Sequence, residues 1–267
     1  MDDYKDLVLL ELIGNGVAKL TLNSPPLNLM TTRSNARLDE LLDEIVKAPE
    51  IRVVVLTGAG EKCFSAGADI KEFAKFVQNG TMVSEKLTTE CAVLNKLDAL
   101  PQPTIAALNG ITLGGGIEMA LCCDYRILGD KVKIGFPEIG IGLFPGSGGL
   151  VRLPAIVGKN KAKELMLFGD KITAEEALSL GIANEVLPNE KVLARALERA
   201  EQLAKLPGES LKAIKRGIND VSEMPVAQGI EYSLGLISRV LSSPDAQEGV
   251  NAFLEKREPA FNLKKEE

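Results

Sequence analysis

Two short apolar runs, Arg52-Val53-Val54-Val55-Leu56-Thr57 and Thr104-Ile105-Ala106-Ala107-Leu108, each stop at a glycine-bearing turn, Gly58-Ala59-Gly60 and Asn109-Gly110. The first reads as a buried strand and the second as a further strand. Between them a helix is expected over Ser84–Leu100, ended by Pro101 and Pro103. An amphipathic helix precedes the first run. Leu38, Leu41, Leu42, Ile45 and Val46 follow the i, i+3, i+4, i+7, i+8 stripe, with Asp39, Glu40, Asp43, Glu44 and Lys47 on the wet side. Strand–helix units at this spacing predict an α/β architecture.

The flanks extend the pattern. Leu7–Ile13 reads as a strand, Asn15-Gly16 as a two-residue hairpin turn, and Ala18, Leu20 and Leu22 as one face of the returning strand. Gly114-Gly115-Gly116 opens a short helix over Ile117–Cys123, followed by strand-like pieces at Asp124–Leu128 and Val132–Ile134. After about Gly158 the chain turns mainly helical. Thr173 and Glu176 have capping-box spacing, and Gly181 sits where a helix would stop. Helices are expected at Glu190–Leu206, Glu209–Val221, Val226–Leu241 and Pro244–Lys256, the last with Ser243 as N-cap. The coarse division is an α/β core over 1–200 and a helical layer over 201–267, with a solvated Lys264–Glu267 tail.

Composition narrows the chemistry. The 267 residues include no histidine, which removes Ser-His-Asp triads, Cys-His pairs and His-ligated zinc. Proton transfer must fall to carboxylates, lysines, tyrosines or cysteines. A net charge of −6 argues against nucleic acid or an anionic membrane as the main partner. The polar Met1–Asp6 start resembles no targeting peptide, and no apolar run reaches the ~20 residues that span a bilayer. Cys63, Cys91, Cys122 and Cys123 include no CxxC, so neither a metal site nor a disulfide framework is indicated. A reducing, cytoplasmic compartment is expected.

Several glycine-rich stretches fail as motifs. Gly58-Ala59-Gly60 starts a dinucleotide fingerprint but has Cys63 where the third glycine belongs. Pro145-Gly146-Ser147-Gly148-Gly149 has no first glycine of a nucleophile elbow and no histidine to activate Ser147. Two others carry chemistry. Ser65-Ala66-Gly67-Ala68-Asp69-Ile70 places small residues before a helix starting near Asp69, and Gly114-Gly115-Gly116 does the same before Glu118. Free amides at two such helix starts can serve an anion, or one donor from each can form an oxyanion hole. Close packing and an Asp69 N-cap would explain either turn alone. Glu118 follows the second turn, and Glu138 lies in the apolar segment Ile134–Pro145. Burial without a partner would raise the pKa of Glu138, and two facing carboxylates would split into one acid and one base.

At these motifs the chain resembles the crotonase (enoyl-CoA hydratase/isomerase) superfamily. The resemblance runs from about Val17 to Phe261 and includes Ser65–Ile70, Asn109-Gly110 through Glu118, Pro137-Glu138, Pro145-Gly146 and Phe253–Arg257. It implies a ββα spiral core with a C-terminal helical layer and assembly as a homotrimer or a dimer of trimers. It also implies an acyl-CoA thioester substrate, with no metal and no cofactor beyond the coenzyme A of the substrate. By position it assigns the oxyanion hole to the amides of Ala68 and Gly115 and catalysis to Glu118 and Glu138. Leu27, Ala66, Gly67, Asp69, Ile70, Gly114, Pro137 and Gly146 fall on substrate-lining segments, and Phe253 and Lys256 on positions that reach a neighbouring subunit's CoA. The chain departs from the family at Ser24–Leu29, which is short, and at Leu150-Val151, where Thr-Gln is frequent. Hydration of a 2-enoyl-CoA is the expected activity. The alternatives are a Δ3,Δ2-enoyl-CoA isomerase using Glu138 alone and a non-catalytic acyl-CoA scaffold.

Overall fold

The computed structural model describes residues 4–261, so the Lys264–Glu267 tail lies outside the described residues. Strands β1 (Val8–Gly14) and β2 (Val17–Leu22) form an antiparallel hairpin around Asn15 and Gly16. Both turn residues have positive φ, 51° and 79°, as a two-residue turn of matching twist requires. Helix α1 (Thr32–Lys47) follows, starting at a capping box between Thr31 and Ser34. It buries Leu38, Leu41, Leu42 and Ile45 but leaves Val46 exposed, because eight residues carry that side chain roughly 80° round from Leu38.

Three strand pairs then wind in succession. β3 (Val53–Gly58) leads to β4 (Cys63–Ser65), then α2 (Ile70–Asn79) and α3 (Thr88–Asp98). β5 (Thr104–Leu108) leads to β6 (Ile111–Leu113) and α4 (Gly115–Ala120). β7 (Tyr125–Gly129) leads to β8 (Lys133–Gly135), a 3-10 turn over Pro137–Ile141, and α5 (Gly149–Phe168). The first strand of each pair enters one sheet, the second another. With β9 (Lys171–Thr173) and β10 (Glu185–Leu187), the sheet orders are β1-β2-β3-β5-β7-β10 and β4-β6-β8-β9. This is the ββα spiral that the resemblance implied. Pairing is parallel except at the hairpin and between β8 and β9.

The apolar strands β3 and β5 are buried on both faces, the first as its composition predicts. Val54, Leu56, Ala106 and Leu108 join the α1 side chains and Phe64 of β4 in one core. Val53, Val55, Ile105, Ala107 and Ile127 point the other way, onto Ala196, Ala200 and Ala204 of α7 (Val192–Ala204). Residues 200 and 201 therefore both lie within a helix packed on the sheet. Beyond it come α8 (Gly208–Val221), α9 (Val226–Leu241) and α10 (Pro244–Glu255). Lys215 of α8 ties this layer to the sheet through Asp124 at 2.9 Å.

Two expectations change. The helix expected over Ser84–Leu100 is a π-helical turn, Met82–Leu87, running into the shorter α3. The amide of Thr88 reaches the Val83 carbonyl, and its hydroxyl donates to the same oxygen at 2.7 Å, which holds the turn wide. The stretch read as mainly helical also contains β9 and β10. The capping box at Thr173 does open α6 (Ala174–Ser179), and Gly181 follows its end with φ 75°.

Candidate active site

The two small-residue turns meet. Gly67 has φ +86°, and a Cβ there would stand 2.9 Å from the Leu113 carbonyl and 3.0 Å from the Gly115 amide nitrogen. Only glycine allows both that backbone conformation and that approach. On its other side, Met30 pairs with Ala68 in a parallel bridge, through Met30 N–H to the Gly67 carbonyl (2.8 Å) and Asp69 N–H to the Met30 carbonyl (3.1 Å). The bridge does not use the Ala68 amide. Gly115 is the first residue of α4, so its amide has no carbonyl one turn back to bond. Gly116 is fixed by packing: a Cβ there would overlap the Ser65 carbonyl. Packing thus accounts for Gly116, while the Gly115 amide stands at the open start of the helix.

Asp69 caps α2, its carboxylate accepting from the amides of Lys71 (2.8 Å) and Glu72 (3.4 Å). Ala66 N–H donates to the Leu27 carbonyl at 2.9 Å, which seats the Leu27 segment beside the first turn. Leu27 and Ile70 expose large apolar side chains there. This brings Leu27, Ala66, Gly67, Ala68, Asp69, Ile70, Gly114 and Gly115 into one neighbourhood.

Both glutamates border it. Glu118 is 2% exposed, and its Oε1 accepts from the amides of Ser147 (2.8 Å) and Gly149 (2.7 Å). Gly149 packs so tightly that a Cβ would stand 2.9 Å from that oxygen. Burial pushes the Glu118 pKa up to about 7, against the two amides, and the negative charges of Glu138 and Glu90 add to the rise. Glu138 sits on the 3-10 turn that Pro137 opens, and it reaches back so that a Cβ on Gly114 would be 2.9 Å from its Oε1. Its Oε2 is buried without a hydrogen-bond partner among the described residues, and burial raises its pKa. A carboxylate in an apolar segment behaves here as expected. Two carboxyls with raised pKa beside two unengaged amides can trade protons with a molecule whose carbonyl lies on the amides.

Gly146 lies in the loop that carries Ser147, and a Cβ on it would be 3.3 Å from Leu87. Phe253 and Lys256 are elsewhere. Phe253 is exposed and lines a groove of about 350 Å³ with residues from 207–261, none from either turn, and Lys256 caps the end of α10 with φ 56°. Among the described residues no cluster of three or more His, Cys, Asp or Glu side chains is placed to hold a metal ion, and no helix is long and apolar enough to cross a membrane.

Sequence reasoning missed three side chains near Glu118. Ser147, dismissed as a nucleophile, donates through its hydroxyl to Glu90, which is 2% exposed, and Glu90 pairs with the equally buried Lys86. Lys86 and Glu90 lie on the stripe of Val93, Leu94 and Leu97, at i, i+4, i+7, i+8 and i+11, so the buried face of this helix carries a charged pair at its N-terminal end.

Comparison with known proteins decides the family. The family model for enoyl-CoA hydratase/isomerase matches residues 12–264. The chain belongs to the enoyl-CoA hydratase/isomerase family. It is 35% identical to the short-chain-enoyl-CoA hydratase of Clostridium acetobutylicum, over 94% of this chain and 95% of that one. It is equally 35% identical to the carnitinyl-CoA dehydratase of Citrobacter koseri, over 92% and 94%. The crystal structure of an enoyl-CoA hydratase from Bacillus anthracis superposes with a TM-score of 0.91 at 34% identity, covering 96% of this chain and 98% of that one. Relatives of this kind make the chain a hydro-lyase at the level of the family.

Proposed function

We propose that the protein catalyses the reversible syn addition of water to a 2-enoyl-CoA, giving a 3-hydroxyacyl-CoA. The observation that carries this reading is a pair of carboxyls with raised pKa, the buried Glu118 and the half-buried Glu138, beside the Gly67–Gly115 junction. The thioester oxygen accepts from the amides of Ala68 and Gly115, which draw electron density from Cβ and stabilise the enolate-like charge. The Glu118 oxygen not held by the loop amides orients water. As the ionised group it takes one water proton while the hydroxide oxygen bonds to Cβ. Glu138, protonated, gives its proton to Cα on the same face as the enolate collapses. The proton held by Glu118 then passes to Glu138 through water, and the site is reset. No further cofactor enters this scheme, because coenzyme A arrives with the substrate.

Glu118→Gln and Glu138→Gln should each lower kcat for crotonyl-CoA hydration by about 10²–10⁴-fold in folded protein. Near-wild-type turnover by both variants would overturn the reading. A second reading has support in the partnerless Oε2 of Glu138, which suits a lone proton shuttle between Cα and Cγ of a 3-enoyl-CoA. Under that isomerase reading Glu118→Gln would spare turnover of a 3-enoyl-CoA. The 35% identity to both a hydratase and a dehydratase leaves acyl group and direction to a panel of straight, branched and cyclic substrates.

A further inference from the structure

A second buried carboxylate, Glu90, stands behind Glu118, held by a chain of polar contacts that the proposed reaction does not use. Glu90 Oε2 accepts from Asn35 Nδ2 of α1 at 3.0 Å and pairs with Lys86 Nζ at 3.3 Å. Its other oxygen, Oε1, accepts from the Ser147 hydroxyl. The backbone amide of the same serine holds Glu118 Oε1 at 2.8 Å. Lys86 also reaches Glu72 Oε2 of α2 at 3.4 Å, and that carboxylate accepts from Thr32 N–H, at the start of α1, at 3.0 Å. Lys86 and Glu90 are each 2% exposed.

Burying such a pair costs several kcal/mol in desolvation, and apolar side chains of similar size would often be as stable or more so. A stability argument therefore does not account for the cluster. Its placement does. Ser147 touches Glu90 with its side chain and Glu118 with its main chain, so the serine converts a fixed carboxylate into a fixed loop, and the loop orients the catalytic one. Lys86 extends the same hold to the other side of the site. Its partner Glu72 lies in the first turn of α2, directly after the Ala68 turn, and closes the start of α1, which follows Met30, the bridge partner of Ala68.

We propose that Glu90, fixed by Lys86 and Asn35, is a positioning residue that clamps the Ser147 turn and so sets the orientation of Glu118. The proposal rests on the two-glutamate hydratase reading. Glu90 also acts electrostatically, because its negative charge favours the protonated form of Glu118. The other ionisable groups that face Glu118 are Glu138 on the 3-10 turn, Cys91 beside Glu90 on α3, and Cys122 in the turn after α4, with Arg152 of α5 acting on both cysteines.

The test is steady-state hydration of crotonyl-CoA by the full chain, with pH profiles of kcat/KM and thermal unfolding recorded alongside. Ser147→Ala keeps the amide that holds Glu118 and removes only the hydroxyl link. It should lower kcat by about tenfold with KM changed less than about twofold, the pattern of a misplaced catalytic group. Ser147→Thr, which restores a hydroxyl, should recover most of that loss. Glu90→Gln should cause a similar loss and move the acid limb of kcat/KM to lower pH, since a negative neighbour has been neutralised. The double variant should be no slower than the slower single one, because both changes cut one link.

Wild-type kcat and an unmoved pH profile in Ser147→Ala and Glu90→Gln, with Glu118→Gln inactive, would overturn the clamp and leave the hydratase reading standing. Full activity of Glu118→Gln would overturn that reading and the clamp with it. Should Glu90→Gln fail to fold, Ser147→Ala and its threonine rescue decide the matter alone.

Discussion

At Glu118 the surroundings favour the protonated acid over the carboxylate that the proposed reaction needs. Its pKa in the folded chain is about 7 against an ordinary 4.5. Between those values the folded protein holds a proton that the unfolded chain has released. Unfolding free energy therefore falls as pH rises across that window, and the loss is complete above about pH 7. At 1.36 kcal/mol per pKa unit the contribution is of order 3 kcal/mol. Glutamine at this position keeps a carbonyl oxygen for the Ser147 and Gly149 amides and removes the ionisation. We predict that Glu118→Gln is more stable than the wild type at pH 8, by about 1–3 kcal/mol, with the difference mostly gone at pH 5. Urea unfolding of both proteins at the two pH values measures this. A variant no more stable than the wild type at pH 8 would mean that burial does not disfavour the charged form there. Glu118 was legible in the sequence because a glycine-rich turn precedes it. Glu90 was not, because a charged residue at the start of the Val93, Leu94, Leu97 stripe reads as its solvated edge, and its partners Asn35 and Ser147 come from distant parts of the chain.

Among elements, those with a long or strongly marked pattern were readable: β3 and β5 as continuous apolar runs, α1 as a stripe, the Asn15-Gly16 hairpin and the Thr173 capping box. The second sheet was only partly readable, since β4, β6, β8 and β9 are three residues each and too short to show a period. The turns that follow its paired strands β4 and β6 meet at the Gly67–Gly115 junction. Gly67→Ala should therefore do two things. It should cost about 1–3 kcal/mol through the positive φ and the crowding, and it should lower kcat by separating the two turns. Gly80 supplies the control: it too has positive φ, 69°, but a Cβ there would meet nothing within 4 Å. Gly80→Ala should show the backbone cost alone and keep wild-type turnover. If the two variants lose the same stability and both retain kcat, the junction is not what brings the two turns into register.

For the whole molecule, the unresolved physical demand is the surface of the C-terminal layer. On α9, Ile230, Leu234, Ile237 and Leu241 form an exposed stripe, and only Leu236 of that helix is buried. On α8, Ile214 and Ile218 are exposed one turn apart, and on α10 the adjacent Phe253 and Leu254 are exposed as well. Soluble monomers rarely leave contiguous apolar patches beyond a few hundred Å² in water, and stripes of this kind on neighbouring helices mark a surface that another protein covers. The family resemblance implies that the cover is a second copy of the chain. We predict a closed homotrimer, or two stacked trimers, with sedimentation giving three or six chain masses at micromolar concentration. Placing a charge in the stripe, as in Leu234→Glu, should shift the population to smaller species, because the lost contact is replaced by an ion with no partner. The same experiment bears on Phe253, which lines a groove of C-terminal residues that includes neither turn, and on Lys256 at the end of α10. If they complete a neighbour's CoA site, Leu234→Glu and Lys256→Ala should both raise KM for crotonyl-CoA, the first only under conditions where the trimer dissociates. A wild-type chain that sediments as a monomer, with kcat and KM independent of protein concentration, would remove both the assembly and the borrowed CoA contact.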